Sequence, residues 1–315
     1  MKIGIIGCGQ VGAATAYACV LRGAGTELVL IDRNAALAEA QAEDILHATP
    51  FAAPVLVRSG GFEDLSGAGI VIIAAGAAQK VGETRLDLLK RNADIFSEMI
   101  PSILNAAPDA LMLIASNPVD VMTHMVASIA QKTHGIPASR IIGSGTILDT
   151  ARFRSLLSGF LGVSSHSVHA YVLGEHGDSE VLQWSGATVG NMPLDSFAAQ
   201  IGAPITSAVR SQIDEGVRKA AYRIIQGKGA TWFGIGAGMA RLAQAIIRNE
   251  NAVITCSAPT SDLLTGGRLV SLSFPRVISA KGIVATLRPD LNREEEAALL
   301  QSAEILGAAT SEIGL

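Results

Sequence analysis

Cysteine is scarce in this sequence. The chain has 315 residues and three cysteines, Cys8, Cys19 and Cys256, with no CxxC pair and no metal-ligand spacing among them. A small, odd number of scattered cysteines is typical of buried apolar side chains in a reducing compartment, not of a disulfide framework or a metal site. We therefore expect a cytoplasmic protein without a bound metal.

The sequence also lacks an excess of positive charge and any long apolar run. The formal net charge is −4, and no cluster of lysine and arginine suits a nucleic acid or an anionic membrane surface. Gln10 and three nearby glycines interrupt the apolar N-terminus before a signal peptide could form. No segment has the roughly eighteen uninterrupted apolar residues that a membrane span requires. Neither a nucleic-acid partner nor a membrane partner is expected.

Internal repeats and proline-rich linkers are absent too, whereas hydrophobic residues are abundant. They make up 49% of the chain. At about 150 residues for one domain, the length suits two domains with a large buried core. Without a flexible linker, the two domains should share an extensive interface.

The N-terminal segment has the pattern of a dinucleotide-binding unit. A short apolar strand at residues 2–6 leads into GCGQVG and then a helix, and a second strand at 27–31 ends at Asp32. Asp32 lies twenty residues beyond Gly12, a spacing at which a carboxylate can bind the adenine ribose. Gly7 suits the tight turn, Gly9 the approach of the pyrophosphate, and Gly12 the packing of helix on strand.

The predicted cofactor is NAD, because the Asp32 carboxylate would repel the 2′-phosphate of NADP. The adjacent Arg33 is the one feature that favours the phosphate. The expected cofactor contacts are Gly7, Gly9, Gln10, Val11, Gly12, Asp32 and Asn117.

Strand and helix signals alternate up to residue 143 and then change character. The first part predicts buried strands and helices of a sheet covered on both faces. The second part predicts twisted strands and long helices, including one helix over 204–226 and one strand over 168–173. The predicted fold class is therefore α/β: a Rossmann-type doubly wound parallel sheet in residues 1–143, followed by a mixed α+β substrate domain in residues 144–315.

One histidine lies at a turn where a strand ends. In GEHGDSE, His176 stands between Gly174 and Gly177, with the carboxylates of Glu175 and Asp178 nearby. Glycines allow backbone torsions and close approaches that other residues resist, and an imidazole exchanges protons near neutral pH. His176 is a candidate proton donor and acceptor, although an ordinary surface turn has the same composition.

Other polar candidates follow strands or share a helix face. The loop GAAQKVGE follows a buried strand and leads into a helix that carries Arg85, so it is a candidate mobile lid. Asn117 follows the next strand and precedes Pro118, which can hold a sharp turn, cis or trans. Asp149 and Arg152 are three residues apart on one helix, so they either serve one site or form a simple ion pair.

Six motifs together resemble the lactate/malate dehydrogenase family. GIIGCGQVG, AAQKVGETR, SNPVD, GTILDTARFR, GEHGDSE and GATWFGIGAG occur in the order and at about the intervals of that family, over essentially the whole chain. The loop resembles the lactate branch, which implies reversible NADH-dependent reduction of pyruvate to L-lactate. The resemblance implies that His176 is the catalytic acid and base with Asp149 as its carboxylate partner, and that Arg85 polarises the carbonyl. It implies substrate binding by Arg152, Gln79, Asn117 and Thr231. An ionised Asp149 beside the ring is expected to keep the pKa of His176 near the working pH.

Two alternatives remain open at this point. A malate dehydrogenase, or a relative acting on bulkier 2-hydroxy acids, would differ at the lid, where malate enzymes carry a second cation and this chain has Gln79 followed by Lys80. A redox-sensing NAD-binding protein without turnover would lack an assembled proton donor and carboxylate clamp.

The resemblance also implies regulation. Arg154 lies two residues after Arg152 and points away from it, and His169 lies seven residues before His176. Family members that respond to fructose 1,6-bisphosphate bind its phosphates at the matching positions, across a subunit interface of a homotetramer. The alternative is that Arg154 and His169 are surface residues without an effector.

Overall fold

The computed structural model describes residues 1–77 and 85–314, without the side chains of Arg85, Leu86 and Leu263. The strands are β1 (Lys2–Ile6), β2 (Glu27–Ile31), β3 (Leu56–Ser59), β4 (Ala68–Ile73), β5 (Leu111–Ile114), β6 (Ile141–Gly143), β7 (Val168–His169), β8 (Val172–Leu173), β9 (Val181–Leu182), β10 (Thr188–Val189), β11 (Met192–Pro193), β12 (Ala252–Thr260), β13 (Val270–Ser279) and β14 (Gly282–Thr286). The α-helices are α1 (Gln10–Arg22), α2 (Ala35–Leu46), α3 (Arg85–Ala106), α4 (Val119–His134), α5 (Ile147–Leu161), α6 (Leu194–Gln200), α7 (Ser207–Arg218), α8 (Ala220–Lys228), α9 (Phe233–Ile247) and α10 (Arg293–Ser311).

The first six strands form a parallel sheet in the order β3-β2-β1-β4-β5-β6. Alternate side chains along a strand enter opposite apolar clusters: Ile5 packs on one face of the sheet and Ile6 on the other. The strand order reverses between β1 and β4, and open α/β sheets bind ligands at such a point. The predicted Rossmann-type doubly wound sheet is confirmed.

The same sheet continues into the second half of the chain. β12 runs antiparallel to β6, with Ser257 opposite Gly143, and β13 and β14 extend the sheet to nine strands. The sequence patterns gave no sign of this pairing, because its two partners are more than a hundred residues apart. The pairing joins the second half of the chain to the edge of the parallel sheet, at the last residue of β6.

Two predicted elements are broken in the structure. The predicted strand over 168–173 is β7 and β8, which pair with different partners, β10 and β9. The predicted helix over 204–226 is α7 and α8, with Lys219 between them. A continuous apolar or amphipathic pattern does not reveal a change of partner. None of the helices described within residues 1–77 and 85–314 has the length and apolar character to cross a membrane.

Candidate active site

Asp149 joins two of the residues that the sequence singles out. Its Oδ2 lies 2.5 Å from Nδ1 of His176, and its Oδ1 accepts a hydrogen bond of 2.8 Å from Nη1 of Arg152. The carboxylate is only 2% exposed. The predicted ion pair on α5 therefore exists, and the same carboxylate also holds the histidine, so all three side chains belong to one site.

Backbone hydrogen bonds fix the segment that carries His176 to strand β13 of the large sheet. The backbone N–H groups of Gly174 and Ser273 each donate to the other residue's carbonyl, at 3.0 and 2.9 Å. Gly174 has φ of +82°, a left-handed torsion that glycine adopts without strain, whereas Gly177 does not have a positive φ. At the start of α5, the N–H of Thr146 donates to Oγ of Ser273 at 3.0 Å. The histidine and its carboxylate partner are thus anchored to the same residue of β13.

A second buried carboxylate supports the histidine loop, which comprises residues 174–180 between β8 and β9. Oδ2 of Asp120, in the first turn of α4, accepts a hydrogen bond of 2.7 Å from the backbone N–H of His176. Burial raises the pKa of Asp120 to about 6, although the hydrogen bond from the His176 backbone and the charge of its ring act to lower that pKa. The sequence patterns did not single out Asp120, although an acid in the otherwise apolar segment VDVM was a usable signal.

The environment of His176 favours its charged form. Burial disfavours the imidazolium, but the charge and hydrogen bond of Asp149, with the charges of Asp120 and Glu180, outweigh burial and raise the pKa to about 9. We expected a pKa near the working pH, and the structure places it higher. At neutral pH the imidazole is therefore protonated and ready to donate.

Arg152 and Thr231 line one cavity of about 610 Å³. Its walls also include Leu148 of α5, Ile224 of α8 and Trp232 before α9. Its volume lies within the usual range for sites that bind small molecules. One N–H of the Arg152 guanidinium is used by Asp149, and the planar group has further donors for a carboxylate.

Asn92, which the sequence patterns did not single out, ties the turn after β5 to the segment that follows β4. Asn92 of α3 is 1% exposed; its Nδ2 donates to the carbonyl of Asn117 at 3.0 Å, and its Oδ1 accepts from the N–H of Ala77 at 2.8 Å. The Asn117–Pro118 bond is cis, and the Asn117 side chain is exposed. Asn117 thus lies at the carboxyl ends of the parallel strands, where its amide is available to a ligand.

The glycine turn fits a dinucleotide. Gly7 has φ of +91°, and a Cβ on Gly12 would collide with the carbonyl oxygen of Gly7. A Cβ on Gly9 would meet nothing within 4 Å, so open space lies where the chain enters α1. Among the described residues no side chain caps this helix, and Gln10 and Val11 form its first turn with N–H groups available to phosphate oxygens. A pyrophosphate can therefore approach the backbone at this turn.

Asp32 stands beside this turn at the end of β2. Its Oδ2 accepts from the backbone N–H of Cys8 at 2.8 Å, and its Oδ1 accepts from that of Asn34 at 2.9 Å. Each oxygen keeps a lone pair for a ribose hydroxyl, while the negative charge opposes a 2′-phosphate. These features suit NAD.

Two predicted residues cannot be placed. Gln79 lies outside the described residues, and so does the side chain of Arg85, whose backbone begins α3. Their roles in the lid remain predictions from the sequence.

Arg154 and His169 do not take part in the contacts that join Asp149 to His176 and Arg152. Nε of Arg154 donates to the carbonyl of Ala170 at 2.9 Å, and its guanidinium lies 5.2 Å from the ring centre of Tyr171. His169, the neighbour of Ala170, is exposed on β7. The Arg154 guanidinium therefore contacts the backbone next to His169, whereas it is Arg152 that binds Asp149.

Comparison with known proteins identifies the family. Residues 1–143 match the lactate/malate dehydrogenase NAD binding domain, and residues 146–313 match the alpha/beta C-terminal domain of the same family. The chain is 59% identical over 314 residues to an L-lactate dehydrogenase of Thermus aquaticus, with 100% of both sequences covered. It is 56% identical over 306 residues to an L-lactate dehydrogenase of Allorhizobium ampelinum, with 97% of each covered.

Solved structures agree with the sequence relatives. A lactate dehydrogenase from a Medee basin deep-sea metagenome library superposes with a TM-score of 0.95 at 38% identity, covering 100% of this chain and 99% of the other. The minor L-lactate dehydrogenase from Enterococcus mundtii gives 0.93 at 37% identity, covering 100% and 98%. With its glycine turn, its Asp149-centred cluster and these matches over its whole length, the chain belongs to the lactate/malate dehydrogenase family and uses NAD.

Proposed function

We propose that this chain is an L-lactate dehydrogenase, which reversibly reduces pyruvate to L-lactate with NADH. The observation that carries the proposal is the double contact of Asp149 with His176 and Arg152. A proton donor and a carboxylate clamp are thereby held together beside a cavity of suitable size. A redox sensor without turnover requires neither group.

The chain's own side chains account for the proton and for the orientation of the substrate. The His176 imidazolium donates a proton to the carbonyl oxygen, and Asp149 fixes its tautomer through Nδ1, which leaves Nε2 to face the substrate. Arg152 binds the substrate carboxylate with its planar fork of donors. Bound NADH supplies the hydride.

Further positions complete the site as we propose it. Arg85 polarises the carbonyl once water is expelled, and Asn117 and Thr231 line the substrate. Gly7, Gly9, Gln10, Val11, Gly12 and Asp32 hold the cofactor. The NAD-binding domain spans residues 1–143 and the substrate domain 144–315. We place the protein in the cytoplasm, a proposal supported by three free, buried cysteines.

The test of this function is a substrate panel. Oxidation of NADH is followed with pyruvate, oxaloacetate and branched 2-oxo acids, and we expect the highest kcat/KM with pyruvate. A higher value with oxaloacetate would instead identify a malate dehydrogenase. No oxidation with any of the three would favour a redox sensor.

The lid position predicts the choice between pyruvate and oxaloacetate. Gln79→Arg should raise kcat/KM for oxaloacetate and lower it for pyruvate, because a buried guanidinium pairs with the second carboxylate but has no partner opposite a methyl group. Matched steady-state assays of parent and variant give the ratio of the two values. A ratio that does not move toward oxaloacetate would exclude Gln79 as the residue that distinguishes the substrates.

We propose that the protein forms a homotetramer activated by fructose 1,6-bisphosphate at Arg154 and His169. Symmetry-related basic clusters repel each other across an interface when empty, and a phosphate at each end of the effector neutralises that repulsion. The neighbouring positions of Arg154 and His169 support a shared phosphate site.

The effector prediction is checked by titration at subsaturating pyruvate. Fructose 1,6-bisphosphate should lower the apparent KM of the parent, and Arg154→Gln should abolish the response while keeping basal turnover. Sedimentation with and without the effector reports the assembly. A flat response in the parent would reject the effector site.

A further inference from the structure

Glu180 is a buried carboxyl group that the mechanism above does not use. It lies four residues after His176 in the same loop and is 4% exposed. Its Oε1 is buried without a hydrogen-bond partner among the residues that the structure describes. A carboxylate in such a place is costly unless it takes up a proton or faces a compensating charge.

The charges around Glu180 come from three parts of the chain. Asp149 and Arg152 act on it from α5, His176 from its own loop, and Arg218 from the end of α7. Arg218 is already engaged, because its Nε donates to Asp214 at 2.7 Å and its Nη1 to the carbonyl of Asp178 at 3.0 Å. Arg218 therefore offsets the charge of Glu180 only in part.

Glu180 lines a second cavity of about 520 Å³. This cavity shares no lining residue with the cavity that contains Arg152 and Thr231. Two exposed residues line this cavity, Asp178 from the histidine loop and Gln301 from α10. The α10 residues that line the cavity carry no charge. Glu175 is a further acid in the wall, and its carboxylate accepts a hydrogen bond from the hydroxyl of Ser179. Solvent protons can therefore reach Glu180 while the substrate cavity is occupied.

We propose that Glu180 is a positioning residue whose charge, set by proton exchange with solvent through this second cavity, adds to that of Asp149 in holding the proton on His176. The inference rests on the proposed function, in which His176 is the acid. The exchanged proton passes between the Glu180 carboxyl and solvent, and no substrate bond is made or broken in that exchange.

The direction of the effect follows from the charges. Burial raises the pKa of Glu180 to about 8, and Asp149 adds to this, against Arg218, His176 and Arg152. Below that pH Glu180 is neutral, and His176 responds to Asp149 and Asp120. Above it, ionised Glu180 adds a negative charge that favours the imidazolium. Pyruvate reduction thus persists to higher pH than it would with a neutral side chain at this position.

The kinetic test uses the isosteric variant Glu180→Gln in the full-length, NADH-saturated enzyme. The alkaline limb of the pH profile of kcat/KM for pyruvate should move to lower pH by about one unit, because one charge next to His176 is removed. The value of kcat/KM near pH 6 should change little. Asp178→Asn is the matched control, since it removes an exposed, solvent-screened carboxylate of the same loop and should leave the limb in place. Glu180→Asp, which can still ionise, should keep the limb close to that of the parent. An unmoved limb in Glu180→Gln would overturn the proposal, and so would a uniform loss of activity at every pH.

A spectroscopic test does not depend on turnover. Infrared spectra of the NAD-bound parent should show the band of a protonated carboxyl group at pH 7 that disappears as the pH rises through about 8. The band should be missing in Glu180→Gln and present in Asp178→Asn. Its absence from the parent would refute the proposal even if pyruvate is reduced, whereas its presence in a protein that reduces no 2-oxo acid would refute the function alone.

Discussion

We expect His176→Asn to lower kcat for pyruvate reduction by about a hundred- to ten-thousandfold, the usual contribution of a positioned general acid. Asparagine keeps a side chain of similar polarity but has no proton to give at neutral pH. The dissociation constant of NADH, measured by fluorescence, should stay nearly unchanged, because the glycine turn lies between β1 and α1 and Asp32 follows β2, whereas His176 lies in the loop between β8 and β9.

The matched control for this variant is His47→Asn. His47 is an exposed histidine at the end of α2. We expect parental kinetics from it. Full pyruvate turnover in His176→Asn would remove His176 from the mechanism, and equal losses in the two variants would point to a general effect of replacing histidine.

Asp149→Asn should shift the alkaline limb of the pH profile of kcat/KM for pyruvate to a clearly lower pH. Burial alone lowers the pKa of His176, and the charge of Asp149 is the main influence that raises it to about 9. Without that charge the pKa should fall below its ordinary value, so that at pH 8 the protonated fraction, and kcat/KM with it, drops by about a hundredfold.

The sign of this prediction can be checked by comparing pH 6 with pH 8. A histidine whose pKa is raised stays charged up to that pKa, so the parent keeps its activity across this interval. The variant should recover part of the loss at pH 6, where its imidazole takes up a proton again. A limb that stays near pH 9 in Asp149→Asn would show that another group holds the proton on His176.

The local pattern of the sequence was sufficient for the parallel part of the fold. β1 and β2 begin and end where the sequence predicts, and the last parallel strand, β6, ends at residue 143, where the predicted α/β pattern ends. These features depend on residues a few positions apart, whose periodicity and turn chemistry are visible in the sequence. The antiparallel extension by β12, β13 and β14 was not visible, because strand pairing across the chain depends on partners that local patterns do not identify.

The candidate active site shows the same division between what the sequence identifies and what only the tertiary structure shows. Residue type and motif identified His176, Asp149 and Arg152 as chemically able groups, because each chemical role needs a particular side chain. The family resemblance implied the pairing of Asp149 with His176, but only the tertiary structure showed that the same carboxylate also binds Arg152.

The missed residues have a common physical cause. No local sequence pattern marks Asn92, Asp120 or Glu180. Their roles come from burial and from the atoms that they face in the fold. Coulomb energy and desolvation depend on distance through space and on exclusion of water. The sequence therefore determined which groups could transfer a proton and bind a carboxylate, whereas the packed fold decided that the pKa of His176 is about 9.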